Sequence, residues 1–294
     1  MNLPEPTDTL STLLDAYCLT GARDHRGLHR LKWTIEFWKS RYGHLPVDQI
    51  TKRALSLHIE SRRIEGKSNS TINREISVLS ASINYAIKRW GWNINNPASG
   101  LYLKTPEGRL RWLTAEQARN LLTVAAASKA PHLHDFIALA INTGMRRSEI
   151  LRLHTAQIDR FTKKILLEGS QTKNGKRRVI PLNIGALSAI DRRIQWNNEN
   201  GIVSSRLFVQ KNGRPVEQIN TAFTNAVQRA GIEDFRLHDL RHTFASWLVS
   251  EGVPLPEVRD LLGHSSIKQT ERYAHLAPGL LHKAVSVLDT IPWT

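Results

Sequence analysis

Apolar residues recur along the first hundred positions at the spacing of a helix face. The clearest case runs from Thr71 to Arg89, where apolar residues follow one another at intervals of four and three. This spacing gives the segment one apolar face and leaves its polar side chains on the other. Similar patterns predict three earlier helices, over residues 10–19, 28–42 and 52–65. The chain therefore begins with a predicted helical region.

The segment from Asn95 to Arg109 has no regular spacing of apolar residues. It contains two prolines and two glycines, which is typical of a linker. At 294 residues the chain is also longer than most single domains. We therefore predict two domains, a helical one over residues 1–100 and a second over residues 101–294.

The second domain is predicted to combine helices with two strands. Thr114 opens the sequence TAEQ, which has the spacing of a helix capping box. Residues 164–169 and 177–182 have the composition of strands, and the Asn174-Gly175 pair between them is a hairpin signal. The predicted fold class is mainly α with a small antiparallel β-sheet. Further helices are predicted over residues 133–142, 184–196, 219–230, 239–250, 255–262, 268–274 and 279–289.

The chain is strongly basic. It has 41 Lys and Arg against 26 Asp and Glu, a net charge of +15 and a pI of about 10.3. Residues 1–100 hold 14 basic and 9 acidic residues, and residues 101–294 hold 27 and 17. Both predicted domains are thus positive, which favours a polyanionic partner such as nucleic acid. A basic protein without such a partner is the alternative on charge alone.

Cysteine content and hydropathy indicate the cellular compartment. The single cysteine, Cys18, excludes an intramolecular disulfide and suits a reducing environment. No apolar run reaches the ~18–20 residues of a membrane span, and the N-terminus lacks the pattern of a signal peptide. We expect a cytoplasmic protein with no membrane partner.

The run from His238 to Tyr273 concentrates side chains suited to phosphodiester chemistry. An arginine such as Arg241 offers planar, multi-donor contact to phosphate oxygens, and the imidazoles of His238 and His264 can move protons near neutral pH. The hydroxyl of Tyr273 can serve as a covalent nucleophile. His238 and Arg241 share a helix face, and Gly263 is expected to end a helix just before His264. His242 is predicted to be a packing or surface residue.

Two further segments contribute candidates. Arg146 and Glu149 follow a Thr-Gly break and lie three apart on a new helix, where arginine can grip phosphate and Glu149 can orient it. An ordinary surface pair is the alternative. Lys173 precedes the hairpin turn and can donate a proton if its pKa is depressed. Its rivals are Lys176, Arg177 and Arg178, and a solvated turn is the alternative.

The sequence lacks the motifs of metal- or nucleotide-driven enzymes. There is no HExxH sequence, no cysteine pair, no Walker A sequence and no GxGxxG. We therefore expect no cofactor. An enzyme without metal or ATP must conserve the energy of the bond it breaks, which a phosphotyrosyl ester does.

Four segments resemble the motif blocks of the tyrosine recombinase (phage integrase) family, in order and at suitable spacing. They are TGMRRSEIL, TKNGKRRVIPL, LHDLRHTFASWLVSEG and LLGHSSIKQTERYAHL. The resemblance covers residues 113–277, and the N-terminal part resembles the family's core-binding domain more loosely. It implies a core-binding domain and a mixed α/β catalytic domain that form a C-shaped clamp on DNA.

The resemblance also implies roles at the phosphate. Arg146 and Arg241 would bind the scissile phosphate, and His264 would hydrogen-bond one of its oxygens. Glu149 would support the site.

The remaining roles concern protons and the nucleophile. Lys173 would be the general acid for the leaving 5′ hydroxyl, and Tyr273 the nucleophile. His238 would be the general acid/base, and it can fill the role of the base that a phenol of pKa ~10 needs.

The implied function is site-specific DNA recombination, with integration or excision of a phage or other mobile element as the expected role. The partners would be double-stranded DNA, three further copies of the chain on two DNA sites, and an excision accessory protein. Without DNA we expect a monomer or weak oligomer. Alternatives are chromosome- or plasmid-dimer resolution of the Xer type, DNA relaxation, and a DNA-binding regulator that never cuts.

The two ends of the chain carry further expectations. Few residues precede the first predicted helix, so we expect no separate arm-binding domain. The segment Pro278–Trp293 has apolar residues at helical spacing. It either packs on its own domain or, by resemblance to the family, docks on a neighbouring copy.

Overall fold

The computed structural model describes residues 3–22, 27–106, 108–169, 175, 177–277 and 285–291. The chain forms two compact units, Met1–Gly108 and Arg109–Thr294. The division falls at the end of the predicted linker, eight residues beyond the position expected from the sequence. The fold class is mainly α with a small antiparallel sheet, as predicted.

The described part of the first unit is helical. The predicted apolar stripe of its last helix is fully buried, but the helix does not remain regular to Arg89. It continues as a π-helical turn, Ala86–Trp90, and stops at Gly91, whose φ of +76° suits glycine. The α-helices of the first unit are α1 (Leu10–Thr20), α2 (Leu28–Tyr42), α3 (Lys52–Ile64) and α4 (Asn69–Tyr85).

A buried ion pair ties three of these helices together. Glu75 of α4 accepts from Arg62 of α3, with Nη2–Oε1 at 2.6 Å and Nε–Oε2 at 3.0 Å. The carbonyl of Glu75 also accepts from the indole N–H of Trp38 on α2, at 2.9 Å. Removing Arg62 would leave the carboxylate of Glu75 in the core without its guanidinium partner, so the pair fixes how α3 meets α4.

The second unit holds the remaining helices. The Thr114–Gln117 capping box is present as predicted, and α6 is almost wholly buried because it packs against α5, α8 and α10. The helix predicted over residues 268–274 is shorter. Its α-helical part ends at Glu271 and a 3-10 turn follows. The unit's α-helices are α5 (Ala115–Ala126), α6 (Leu133–Thr143), α7 (Arg147–Leu151), α8 (Ile184–Glu199), α9 (Asn220–Arg229), α10 (Asp239–Ser250), α11 (Leu255–Leu262) and α12 (Lys268–Glu271).

A three-stranded antiparallel sheet lies in the second unit. Its strands are β1 (Ile158–Asp159), β2 (Lys164–Leu167) and β3 (Arg178–Pro181), in that order across the sheet. Both predicted strands are confirmed, and the two-residue β1 is an addition. Side chains alternate between the faces of the sheet, so Arg178 and Ile180 of β3 point into the core. Strand β3 therefore places the charged side chain of Arg178 in the interior of the unit.

The end of the chain is only partly described. Within the predicted helix over residues 279–289, the described part contains a 3-10 turn, Val287–Thr290. Across the described residues, no helix combines the length and apolarity needed to cross a membrane.

A buried histidine and a buried arginine lie together in the core of the second unit. Arg193 of α8 is 0% exposed. It donates to Asn197 Oδ1 at 3.0 Å and to the Val209 carbonyl at 3.1 Å, and its Cζ lies 3.9 Å from the centroid of the Trp196 ring. Burial, together with the positive charge of Arg193, lowers the pKa of His132 to about 4. His132 is therefore neutral in the folded protein at pH 7.

This depressed pKa makes stability depend on pH. The folded pKa lies below the unfolded value of about 6.5, so the unfolded state binds the proton first and stability falls as pH drops from 6.5 towards 4. Wild type should lose about 2 kcal/mol of unfolding free energy through His132 between pH 7 and pH 5. H132Q should lose correspondingly less, measured by urea unfolding at both pH values. The matched control is H134Q, two residues along. Equal pH dependence in wild type and H132Q would contradict this.

Candidate active site

Arg146 is placed by a tight turn between two helices. Helix α6 ends at Gly144 with a φ of +61°, where a Cβ would lie 2.4 Å from the ring of Phe244. The chain then turns, and Arg146 directly precedes α7. Its backbone N–H and its Nη1 both donate to Glu149 at 2.9 Å, and its Nη2 lies 3.4 Å from the carbonyl of Gly263. The Arg146–Glu149 ion pair predicted from the sequence is therefore present, and the carboxylate of Glu149 is buried.

Glu149 holds two guanidiniums at once. Besides Arg146, its carboxylate accepts from Nη2 of Arg178 on β3, at 2.8 Å. Burial alone would raise the pKa of Glu149, but the charges and hydrogen bonds of Arg178 and Arg146 outweigh it and lower that pKa. The carboxylate is therefore ionised, and it orients both side chains.

Arg241 completes a cluster of three guanidiniums. It is 3% exposed and donates to the carbonyls of Gly144 at 2.7 Å and Leu262 at 2.6 Å. Arg178 donates to the same Leu262 carbonyl at 2.5 Å. Burial and the charges of Arg146 and Arg178 lower the pKa of Arg241 to about 9. It stays charged at neutral pH, and a bound anion would relieve the repulsion among the three charges.

His264 lies just beyond the end of α11, as predicted. Gly263 closes that helix with a φ of +63°, and a Cβ there would be 2.4 Å from Nη1 of Arg178. The Nδ1 of His264 lies 2.9 Å from the hydroxyl oxygen of Thr270. Burial, with the charges of Arg241 and others of the cluster, lowers the pKa of His264 to about 3. Its ring is therefore a neutral hydrogen-bonding group beside the guanidiniums.

His238 lies at the exposed edge of the site. It precedes α10 and lines a cavity of about 580 Å³ together with Arg147, Arg236 and Arg241. Arg147 and Arg236 are exposed to solvent. The basic side chains therefore lie at a cavity whose remaining lining is mostly apolar, with Phe136, Met145 and Phe223 among its residues.

Tyr273 is buried beside the cluster. It is 1% exposed, and its ring packs with Val258 and Leu262, which Leu110 helps to cover. Its hydroxyl lies 2.6 Å from Nδ1 of His242. Burial raises the pKa of Tyr273 to about 12, so the phenol keeps its proton at neutral pH.

The structure thus brings most of the predicted residues into one region of the second unit. Lys173 and its rival Lys176 lie outside the described residues, so the general-acid role stays a prediction. Sequence reasoning missed the part played by Arg178 and His242. The inward register of Arg178 on β3, and the position of His242 one helical turn after His238, were the available signals.

Comparison with known proteins agrees with this arrangement. Residues 111–279 match the sequence model described as the phage integrase family. The chain is 34% identical over 208 residues to the integrase of Salmonella phage P22, covering 68% of this chain and 53% of that protein. It is 29% identical over 240 residues to the integrase of Escherichia phage 186, covering 80% and 65%. The chain therefore spans between half and two thirds of the length of these two relatives.

A cellular recombinase and solved structures are also similar. Tyrosine recombinase XerC of Alcanivorax borkumensis is 30% identical over 243 residues, covering 80% of this chain and 78% of that protein. The Tn1549 transposon integrase in complex with transposon right end DNA superposes with a TM-score of 0.80 at 21% identity, over 96% of this chain and 100% of that one. A lambda integrase dimer bound to a core site gives 0.74 at 22% identity, over 92% and 97%.

The solved structures share the fold with this chain, and the segment that matches the family model holds the arginine cluster and the tyrosine. The match to the family covers more than half of the 294 residues. The chain belongs to the phage integrase family.

Proposed function

We propose that this chain is a site-specific DNA recombinase that cuts and rejoins DNA through a 3′-phosphotyrosyl intermediate. The observation that carries the proposal is the arrangement of three guanidiniums, those of Arg146, Arg178 and Arg241, in the same site as Tyr273. Binding alone would not require a tyrosine hydroxyl in such a position. The relatives named integrase and tyrosine recombinase support the same reaction.

The arginine cluster suits the charge that develops during attack on a phosphodiester. As Tyr273 adds to phosphorus, negative charge grows on the non-bridging oxygens. We expect Arg146, Arg241 and His264 to donate to those oxygens, and fixed donors are most effective where charge grows. Glu149 and the carbonyl of Leu262 hold the guanidiniums in place beforehand, so little reorganisation is needed during the reaction.

The covalent intermediate makes the reaction reversible without an energy source. Attack by Tyr273 displaces the 5′ oxygen of the broken strand, and Lys173, the acid implied by the family resemblance, protonates it. The 5′ hydroxyl of a partner strand then attacks the phosphotyrosine and restores a phosphodiester. Because Tyr273 is 1% exposed in the free chain, DNA binding must uncover its hydroxyl before the first step.

Double-stranded DNA is the proposed partner of both units. Solved neighbours of the same fold are complexes of integrases with DNA. The first unit would act as the core-binding domain, because exposed basic side chains cover its helices and can contact phosphates. The exposed basic residues on its helices include Arg30, Lys32, Arg53, Arg63, Arg74, Lys88 and Arg89.

Integration or excision of a mobile element is the proposed role, because integrases of Salmonella phage P22 and Escherichia phage 186 are among the relatives. Dimer resolution of the Xer type is the second candidate, since XerC of Alcanivorax borkumensis is 30% identical. Recombination assays on the DNA that flanks the gene distinguish the two. Exchange between a chromosomal and an element-borne site supports integration, whereas exchange only between two copies of one site supports dimer resolution.

Tyr273→Phe should abolish cleavage and leave DNA binding nearly intact, because only the hydroxyl is lost. Adduct formation on a nicked substrate is measured on denaturing gels in EDTA, and affinity by gel shift. The wild-type chain serves as the positive control. A covalent adduct in the mutant would rule out Tyr273 as the nucleophile.

Arg241→Lys should slow adduct formation by about 10²–10³-fold while changing affinity little. Lysine keeps the charge but carries all its donors on one nitrogen, so it loses the planar guanidinium that contacts Gly144 and Leu262 through separate nitrogens. One phosphate contact among many adds little to affinity, whereas it matters greatly in the transition state. The matched control is R119K, at an exposed position of α5. Equal losses of affinity and rate would place Arg241 in the general DNA-binding surface.

Truncation after Ala277 should leave the protein folded and able to bind DNA but impair assembly on two DNA sites. Val285, Val287 and Leu288 are 47–62% exposed in the described part of this segment, so a neighbouring copy can cover them. We propose four copies of the chain per recombining complex. Circular dichroism, gel shift and a two-site recombination assay provide the test. If the truncated protein forms four-subunit complexes as fast as the full-length chain does, this segment has no role in assembly.

A further inference from the structure

The hydroxyl of Tyr273 is in contact with His242. The Tyr273 oxygen lies 2.6 Å from Nδ1 of that histidine, and the two rings have centroids 5.8 Å apart at an interplanar angle of 51°. Both residues are buried. A proton acceptor must lie about 2.6–3.2 Å from the atom that gives up the proton, and His242 satisfies this distance.

The direction of this hydrogen bond follows from the two protonation states. Burial raises the pKa of Tyr273 to about 12, and burial with neighbouring positive groups lowers the pKa of His242 to about 3. At neutral pH the phenol therefore carries a proton and the imidazole is neutral. The hydroxyl donates, and Nδ1 of His242 accepts with its lone pair.

We propose that His242 is the general base that takes the proton of Tyr273 as the tyrosine attacks the phosphodiester. This rests on the proposed function of Tyr273 as nucleophile. The bond from the phenol oxygen to phosphorus forms while its O–H bond breaks, and the proton moves to Nδ1. The bond from phosphorus to the 5′ oxygen breaks, and a separate acid protonates that oxygen. In the rejoining step, His242 returns its proton to the departing phenol oxygen.

This assignment differs from the role that sequence analysis gave to His238. The His238 ring lies against His242, with centroids 5.1 Å apart and nearly perpendicular planes. His238 lines the open cavity and is exposed, whereas His242 is the histidine in contact with the attacking oxygen. His238 is therefore placed to act on the DNA side of the site and to adjust the charge state of His242.

Substrate binding would strengthen His242 as a base. The groups that hold its pKa down, besides burial, are His238 and Arg241 on the same helical segment, Arg272 beside the tyrosine, and His264 beyond α11. A phosphate bound to Arg241 and His264 adds a negative charge there, which raises the pKa of His242. Arg241 is close enough to His242 to lower its pKa, so a phosphate held by Arg241 would act on His242 directly.

The main test replaces His242 with asparagine. An amide oxygen can accept the hydroxyl hydrogen bond but cannot take up its proton, so H242N separates positioning from proton transfer. We expect H242N to form the covalent adduct about 10²–10⁴-fold more slowly than wild type under single-turnover conditions. Thermal unfolding and DNA affinity, measured in parallel, establish that the variant is folded and bound. H242F, which has no acceptor, should be at least as slow.

A more acidic nucleophile provides the second readout. Fluorinated tyrosine at position 273 loses its proton more easily and depends less on a base. It should therefore restore a large part of the rate in H242N. A merely structural defect would not respond to the acidity of the phenol. The wild-type chain carrying the same fluorinated residue is the reference.

The outcomes separate this inference from the proposed function. A slow H242N that the fluorinated residue accelerates supports His242 as the base. An H242N rate equal to wild type, or a slow rate that the fluorinated residue leaves unchanged, overturns it. If wild type forms no adduct at Tyr273, as judged against Y273F, the proposed function itself fails and the base role fails with it.

Discussion

The ion pairs of Glu149 with Arg146 and Arg178 allow three positive side chains to lie close together inside one domain. The buried carboxylate of Glu149 offsets part of the repulsion among the three guanidiniums. The carbonyl of Leu262 accepts from Arg178 and Arg241. The compensation is incomplete, since the pKa of Arg241 is lowered to about 9. The cost of burying these charges is met when the protein folds, so an anion that binds here interacts with positive charges that are already desolvated. This imbalance is the physical basis for proposing a phosphate as the ligand.

The positive charges of the arginine cluster also act on Tyr273 and on His242, its hydrogen-bond partner. Arg241 is adjacent in sequence to His242, which accepts from Tyr273. The positive charges lower the pKa of His242, while burial keeps the phenol protonated. In the free chain the proposed nucleophile, Tyr273, is consequently protonated and covered. A bound phosphate would weaken this field, because its negative charge offsets the positive charges around His242.

Local signals in the sequence predicted most of the helices. The bounds of α2, α10 and α11 agree with the prediction, since apolar spacing and caps act within a few residues. Contacts distant in sequence could not be predicted in this way. Arg178 meets Glu149 across 29 residues, and His242 meets Tyr273 across 31. The family resemblance supplied the positions of the catalytic candidates, but the histidine that contacts the tyrosine emerged only from the fold.

The proposed reaction joins Tyr273 covalently to DNA. Mass spectrometry of the adduct trapped on a nicked substrate tests this directly, after digestion of both protein and DNA. We expect a nucleotide attached through its 3′ phosphate to the peptide that contains Tyr273. A nucleotide attached to any other residue, or DNA cleaved with no covalent adduct, would contradict it.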